Sequence, residues 1–366
     1  MTLIIGILAL LFLVLTVLVI GKTQDLLKSV KGVKEDEDDS EVDGANDWNA
    51  LGLMVFWVLS VVGVVWSFLD AKKDFLPEAS SPHGRETDYW FWVSMAVITV
   101  AFFIVNTLLF YFPLRYKYNK NRKATFYPHN NKLEVIWTVI PALVMAGLVF
   151  TGLRVWNRVM DDAPEDAEVI EIMGRQFAWA VRYPGVDDNE LGNYDYRLMD
   201  DAAGNNFGID FTDPNSFDDF TNGTEMHIPK GKPVLLKIRA RDVLHSVFIP
   251  HMRVKMDAVP GMPTKFWFVA DKSTEDMRVE LNNPDFNYEI ACTEICGRSH
   301  FGMKLLLVVD EPEEYEAWKK EQQPFLSLNP GFVDKVPDNL KARALKYVET
   351  EEAEVAMVTE EAEVVE

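Results

Sequence analysis

Four uncharged stretches, each long enough to cross a bilayer, dominate the first 155 residues: Leu3 to Ile20, Leu51 to Leu69, Tyr89 to Leu114 and Val135 to Leu153. A run of about 18 or more apolar residues reads as a membrane helix, because inside lipid the backbone must satisfy its own hydrogen bonds. The first run could instead be a signal peptide. No Lys or Arg precedes its apolar core and no small-residue cleavage pattern follows, so it is read as an uncleaved helix. Orientation follows from the basic residues at the helix ends. Arg115, Lys117, Lys120, Arg122, Lys123 and Lys132 crowd one loop, and Lys22, Lys28, Lys31 and Lys34 follow the first helix. Both segments are expected on the cytoplasmic side. That places the N-terminus and everything after Arg154 on the outer face, with Lys72 and Lys73 mildly against the scheme.

Beyond Trp156 the pattern changes to short β-type runs: Glu168 to Tyr183, Pro233 to Ala240, Lys265 to Ala270, Met277 to Leu281, Tyr288 to Ala291 and Lys304 to Val309. Turn residues such as Pro260-Gly261 and Asn282-Asn283-Pro284 separate them. The expected fold is thus N-terminal transmembrane α-helices followed by an all-β domain, an antiparallel Greek-key sandwich or barrel. The chain parses into crossings at 1–21, 51–69, 89–114 and 134–154, an acidic cytoplasmic linker at 22–50, and a β domain at 165–311. An Asp-, Asn- and Gly-rich segment, 184–225, reads as a long surface insertion. Residues 312–366 read as a short helix, Pro312 to Gln323, and an acidic tail.

The net charge over 366 residues is −21, which disfavours nucleic acid and suits a basic soluble partner. Two cysteines, Cys292 and Cys296, exclude a multi-disulfide framework. They stand in the run Cys292-Thr293-Glu294-Ile295-Cys296-Gly297-Arg298-Ser299-His300-Phe301-Gly302-Met303, with His245 upstream beside a strand-like segment. Two thiolates, two imidazoles and a thioether form a soft donor set. Copper fits it better than zinc, and a mononuclear blue-copper site would use only one cysteine. Two cysteines therefore suggest two metal ions sharing bridging thiolates. The alternative is a Cys292–Cys296 disulfide, which would leave the histidines and methionine unexplained. His251 is expected at the surface or behind the ligands, and His83, His129 and His227 lie in loop-like contexts where a solvated ring is expected.

The segments Asp242-Val243-Leu244-His245-Ser246, Asp257-Ala258-Val259-Pro260-Gly261 and Cys292 to Met303 together resemble subunit II of cytochrome c oxidase, over roughly Tyr89 to Val309. The resemblance implies a cupredoxin-like domain with a binuclear copper (CuA) centre. One copper would take His245 and Met303, the other His300 and the Glu294 carbonyl, with both cysteines bridging. The side chain of Glu294 would meet a magnesium ion at the interface with subunit I. Leu133-Glu134-Val135-Ile136-Trp137 is similar to the family's helix start at the mouth of a proton pathway, which singles out Glu134. Gly174-Arg175-Gln176-Phe177-Ala178-Trp179 is similar to the stretch in which a tryptophan receives the electron. Phe177 stands at that position here, with Trp179 as the other candidate.

No Cys-x-x-Cys-His occurs, so no haem is expected on this chain and the donor is expected to be a separate c-type cytochrome, free or within a supercomplex. The implied partners are subunit I, which bears haem and reduces oxygen to water with proton pumping, and the other oxidase subunits. The implied place is the cell (inner) membrane, multi-pass, with the C-terminal domain on the periplasmic or outer face. Two other readings stay open from sequence: a copper carrier or sensor, and a scaffold subunit of a larger respiratory assembly.

Overall fold

A computed structural model describes residues 11–23, 26–27, 45–119, 121–186 and 189–348. Residues 1–10 of the first expected crossing, most of the acidic linker and the tail from 349 onward lie outside the described residues. The chain divides into two compact units, Met1–Ser67 with Phe102–Tyr127, and Phe68–Ala101 with Pro128–Glu366.

Among the described residues the apolar stretches are helical: α1 (Leu11–Thr23), α2 (Ala45–Ala71), α3 (Pro82–Tyr116) and α4 (Asn131–Met160). The last three are long and apolar enough to span a membrane. They extend past the uncharged windows because charged and aromatic flanks continue the helix into the interfacial zone. In the first unit, Trp57 stacks on Phe110 at 5.5 Å and is closely surrounded by Phe102 and Phe103. Lys117 pairs with Asp47 at 2.9 Å. Pro113 and Pro141 lie inside α3 and α4.

The second unit carries two five-stranded sheets. One runs in the order β3 (Phe220–Asn222), β2 (Ala178–Tyr183), β1 (Glu168–Arg175), β5 (Pro233–Ala240), β8 (Thr264–Val269). The other runs β4 (Glu225–Pro229), β10 (Lys304–Asp310), β9 (Tyr288–Cys292), β6 (His245–Ile249), β7 (Val254–Ala258). Pairing is antiparallel except for β1 with β5 and β10 with β4. Ile170, Ile172, Val181, Leu236 and Ile238 of the first sheet and Val247, Ile249, Ile290, Leu305 and Leu307 of the second are buried in one common core. This is the expected sandwich, with alternate residues inward along each strand, but the two parallel pairings depart from the wholly antiparallel arrangement expected.

Three local expectations need correction. The run Glu168 to Tyr183 is a hairpin of two strands, since Gln176 and Phe177 turn the chain. Met277 to Leu281 is not a strand but part of the helix α5 (Thr274–Glu280). The Ser273 hydroxyl accepts from Asp276 N–H and the Asp276 carboxylate from Ser273 N–H, a capping box that starts a helix regardless of the β-branched Thr274 and Val279 within it. The segment 184–225 is more than surface loop. Its Phe207, Ile209, Phe211 and Phe217 are buried against Phe325, Leu326, Phe332, Val336 and Ala344, forming a second core. Those partners come from α7 (Phe325–Leu328), a 3-10 turn (Pro330–Lys335) with Val336 just after it, and α8 (Asp338–Val348), all of which follow α6 (Pro312–Lys320).

His227, expected in solvent, sits in β4 with its ring stacked on Trp318 of α6 at 4.2 Å. Its Nδ1 is 2.6 Å from Asp310 and its Nε2 is 3.1 Å from Glu225, while Tyr183 bonds its backbone. Burial alone would lower its pKa, but the two carboxylates outweigh burial and raise it above the ordinary 6.5. A raised histidine pKa adds stability that is fully present at low pH and is lost as pH rises through the folded-state value. The thermal midpoint of the purified chain should therefore fall as pH rises above the ordinary histidine value of 6.5. His227→Gln should remove much of that slope, and calorimetry showing parallel pH profiles for both proteins would contradict it.

Candidate metal centre

The donors converge where three neighbouring strands of one sheet end together. His245 opens β6, Cys292 closes β9, and Met303 immediately precedes β10. Val247 pairs with Cys292 across β6 and β9, and Lys304 with Ala291 across β9 and β10, so register alone brings these positions side by side. The connecting loop folds back on itself: Cys292 N–H donates to the Met303 carbonyl (3.1 Å), Thr293 N–H to Ser246 (3.1 Å) and His300 N–H to Gly297 (3.2 Å).

Cys292 Sγ lies 3.8 Å from His245 Nδ1 and 3.3 Å from the Glu294 carbonyl oxygen. Cys296 Sγ lies 3.6 Å from His300 Nδ1 and 3.9 Å from Met303 Sδ. The donor atoms of His245, Cys292 and Cys296 are all within 4.8 Å of one another, and all three residues are buried. Both cysteines are free thiols, contrary to the disulfide alternative. Burial, and then the neighbouring Cys292, push the Cys296 thiol up to about 11. Metal binding must therefore displace protons here. The donor set is soft and mutually close, and its three sulfurs are buried, which suits copper ions bridged by thiolates.

Sequence reasoning assigned no role to two supports of this cluster. Asp242 accepts from His245 Nε2 (2.9 Å), so the ring turns Nδ1 toward the sulfurs. Burial would raise the Asp242 pKa, but the bonds from His245, Gln176 N–H and Val243 N–H lower it. An acid three residues before the candidate histidine was the available signal. Gly174 supplies the second support. A Cβ there would come within 2.8 Å of the Trp179 ring and 3.0 Å of the His245 ring.

Trp179 is 1% exposed, edge-on to His245 with ring centroids 5.9 Å apart. Phe177 is 37% exposed beside Gly297. Glu294 has a half-buried side chain. Glu134 is exposed in the first turn of α4, where its Oε1 accepts Asn130 N–H at 3.2 Å. His251 is no part of the cluster: its ring lies against Phe286 and Tyr288 (5.2 and 5.1 Å), and burial, then Arg253, lower its pKa to about 4. His83, expected in a loop, is in the first turn of α3 against Phe266 and Phe268.

Soft donors gathered at one end of a cupredoxin-like sandwich define an electron-transfer module, and the apolar helices fix this one to a membrane. Residues 70–155 match the family model for the transmembrane domain of cytochrome c oxidase subunit II, and residues 168–310 match that for its periplasmic domain. The chain belongs to the cytochrome c oxidase subunit II family, and so is the electron-transfer subunit of a haem-copper terminal oxidase; copper binding goes with that membership. It is 33% identical over 241 residues to an alternative cytochrome c oxidase subunit 2 of Bradyrhizobium diazoefficiens, covering 65% of this chain and 79% of the relative. To cytochrome c oxidase subunit 2 of Thermostichus vulcanus it is 28% identical over 294 residues, 73% of this chain and 85% of the relative. The solved periplasmic domain of subunit II from Bradyrhizobium japonicum aligns with 43% of this chain and 94% of its own length, at 22% identity and a TM-score of 0.30, too low to add to the sequence match.

Because the Gly174 backbone lies so close to the His245 ring, Gly174→Ala should push that ring aside. The expected cost is about 1–3 kcal/mol of stability by overpacking, together with lower copper occupancy by metal analysis. Wild-type occupancy and melting in this variant would show that the contact does not constrain the ring.

Proposed function

We propose that the chain takes electrons from a c-type cytochrome on the outer face of the cell (inner) membrane and hands them to haem in subunit I. Oxygen is reduced there to water, coupled to proton pumping. The observation that carries this reading is the convergence of five side chains and one carbonyl: His245, Cys292, Cys296, His300, Met303 and Glu294 O. Cys292 stands nearer His245 and Glu294, Cys296 nearer His300 and Met303, which supports both thiolates as bridges between two coppers. His245 with Met303 and His300 with the Glu294 carbonyl complete the two ligand sets. When bound, the copper pair supplies one shared electron site that changes little on reduction.

The protein's part is to hold these donors still. Strand ends fix His245, Cys292 and Met303, the Asp242 carboxylate fixes the His245 tautomer, and burial keeps water from the thiolates. Trp179 is enclosed, so of the two aromatics only Phe177 can meet a docked donor, and it is the electron-uptake position in this reading. The net charge of −21 favours a basic donor, captured in solution or held in a supercomplex. The half-buried Glu294 side chain is left to a magnesium ion at the subunit I interface. Glu134, exposed at the start of α4, is the proton-collecting carboxylate.

Copper-loaded wild-type protein should show one unpaired electron delocalised over two coppers by electron paramagnetic resonance. Cys292→Ser or Cys296→Ser should abolish that signal, and its survival in either variant would refute the bridging assignment. In the assembled oxidase, Glu134→Gln should slow oxygen turnover several-fold while copper reduction by cytochrome c proceeds at the wild-type rate. Unchanged turnover would remove Glu134 from the proton path.

A further inference from the structure

The loop that carries Cys296 is tied mostly to itself and to the strands it joins: His300 N–H to Gly297, Gly302 N–H to Ser299, Met303 N–H to His300. Gln176 reaches into it from 120 residues away, and its side-chain amide donates to the Cys296 carbonyl. Through its backbone the same residue acts on the other side of the site. Gln176 N–H donates to Asp242 Oδ2 at 2.8 Å, and Asp242 Oδ1 is the atom that receives His245 Nε2 at 2.9 Å.

The seat is close. Gly297 has φ of +136°, a conformation that side-chain-bearing residues rarely adopt. A Cβ there would stand 2.9 Å from the Phe177 ring and 3.0 Å from Gln176 Nε2. The β1–β2 turn therefore lies directly on the Cys296-Gly297 peptide, with the Gln176 amide donating to its carbonyl.

Building on the copper reading above, we infer that Gln176 is a positioning residue for the metal centre, spacing the Cys296 side of the ligand set from the His245 side. A neutral amide suits the task. It donates to a carbonyl, where a carboxylate would repel it, and its charge does not change with pH. The donated hydrogen bond also draws electron density from the peptide beside the Cys296 sulfur, which favours the reduced centre and raises its potential.

Gln176→Glu keeps the length and removes the donor, while Gln176→Asn keeps the donor and shortens the reach. Gln176 is exposed, so both variants should fold. In the copper-free, detergent-solubilised full chain, both should let iodoacetamide label Cys296 several-fold faster with Cys292 labelling unchanged. In the copper-loaded oxidase both should lower the midpoint potential and alter the copper hyperfine splitting, with copper content as in wild type. Wild-type labelling, potential and spectrum in both variants would overturn the inference. Equal acceleration at both cysteines would overturn it too, since that is general loosening. If wild-type protein itself lacked a two-copper signal, the copper reading would fail, while the selective labelling of Cys296 would still decide whether Gln176 holds the loop.

Discussion

The pairing of Val247 with Cys292 across β6 and β9 is the constraint on which the site depends. Side chains alternate faces along a strand, so a slip of one residue in this ladder would turn His245 or Cys292 to the opposite face and scatter the donors. The register is held by the core and by the neighbouring ladder: Val247, Ile249, Ile290 and Leu305 are buried in the sandwich core, and the β9–β10 ladder continues the same alignment to Lys304, next to Met303. A hydrophobic core of ordinary composition thereby sets the positions of sulfur and nitrogen atoms to within a few ångströms.

A buried charge cluster does the corresponding work for the acidic insertion. Arg182 is fully buried and bonds Glu171 (3.2 Å), Asp219 and the Gly192 carbonyl (2.7 Å). Arg239 bonds Glu171 and the Phe207 carbonyl and lies over the Tyr194 ring at 3.5 Å. Such a cluster adds little net stability compared with apolar packing, yet removing one member costs about 3–5 kcal/mol by stranding the others. Its effect is to tie residues 192–219 to the strands by directional bonds, since Arg182 of β2 reaches Asp219 and the Gly192 carbonyl and Arg239 of β5 reaches the Phe207 carbonyl. Asp219 extends the tie through its carbonyl, which accepts Phe325 N–H at 2.7 Å and so fastens the C-terminal helices to the same place.

The domain is also strapped to the start of α3. Ser80 N–H donates to His251 O (2.7 Å) and Asp271 N–H to Ser80 O (3.1 Å), Ser81 donates to Met252 O (2.9 Å), and Arg253 holds Asp88. Electron transfer across a membrane complex needs a copper site whose distance to the next centre is fixed. Bonds between the helix approach and the loops that join the strands of the sandwich serve that need better than a free linker would.

Much of this was legible in the sequence. Long uncharged runs admit few structures other than membrane helices, since lipid offers backbone groups no partner. The soft residues between Cys292 and Met303 named copper chemistry because ligand preference is a property of the side chain itself. The supports were harder to see. Gly174, Gln176 and Asp242 lie in recognisable segments, but their roles exist only once β1, β6 and the Cys296 loop are brought together. The second core was hidden for the same reason: Phe207, Phe211 and Phe217 read as scattered aromatics in an acidic loop until Phe325 and Phe332 arrive beside them. Residue chemistry and local periodicity are carried by the chain alone, and these determined the membrane helices, the β domain and the donor set. Which donors face one another, what holds them and what covers the insertion were decided by contacts between segments far apart in sequence, whose energies arise only when the fold has closed.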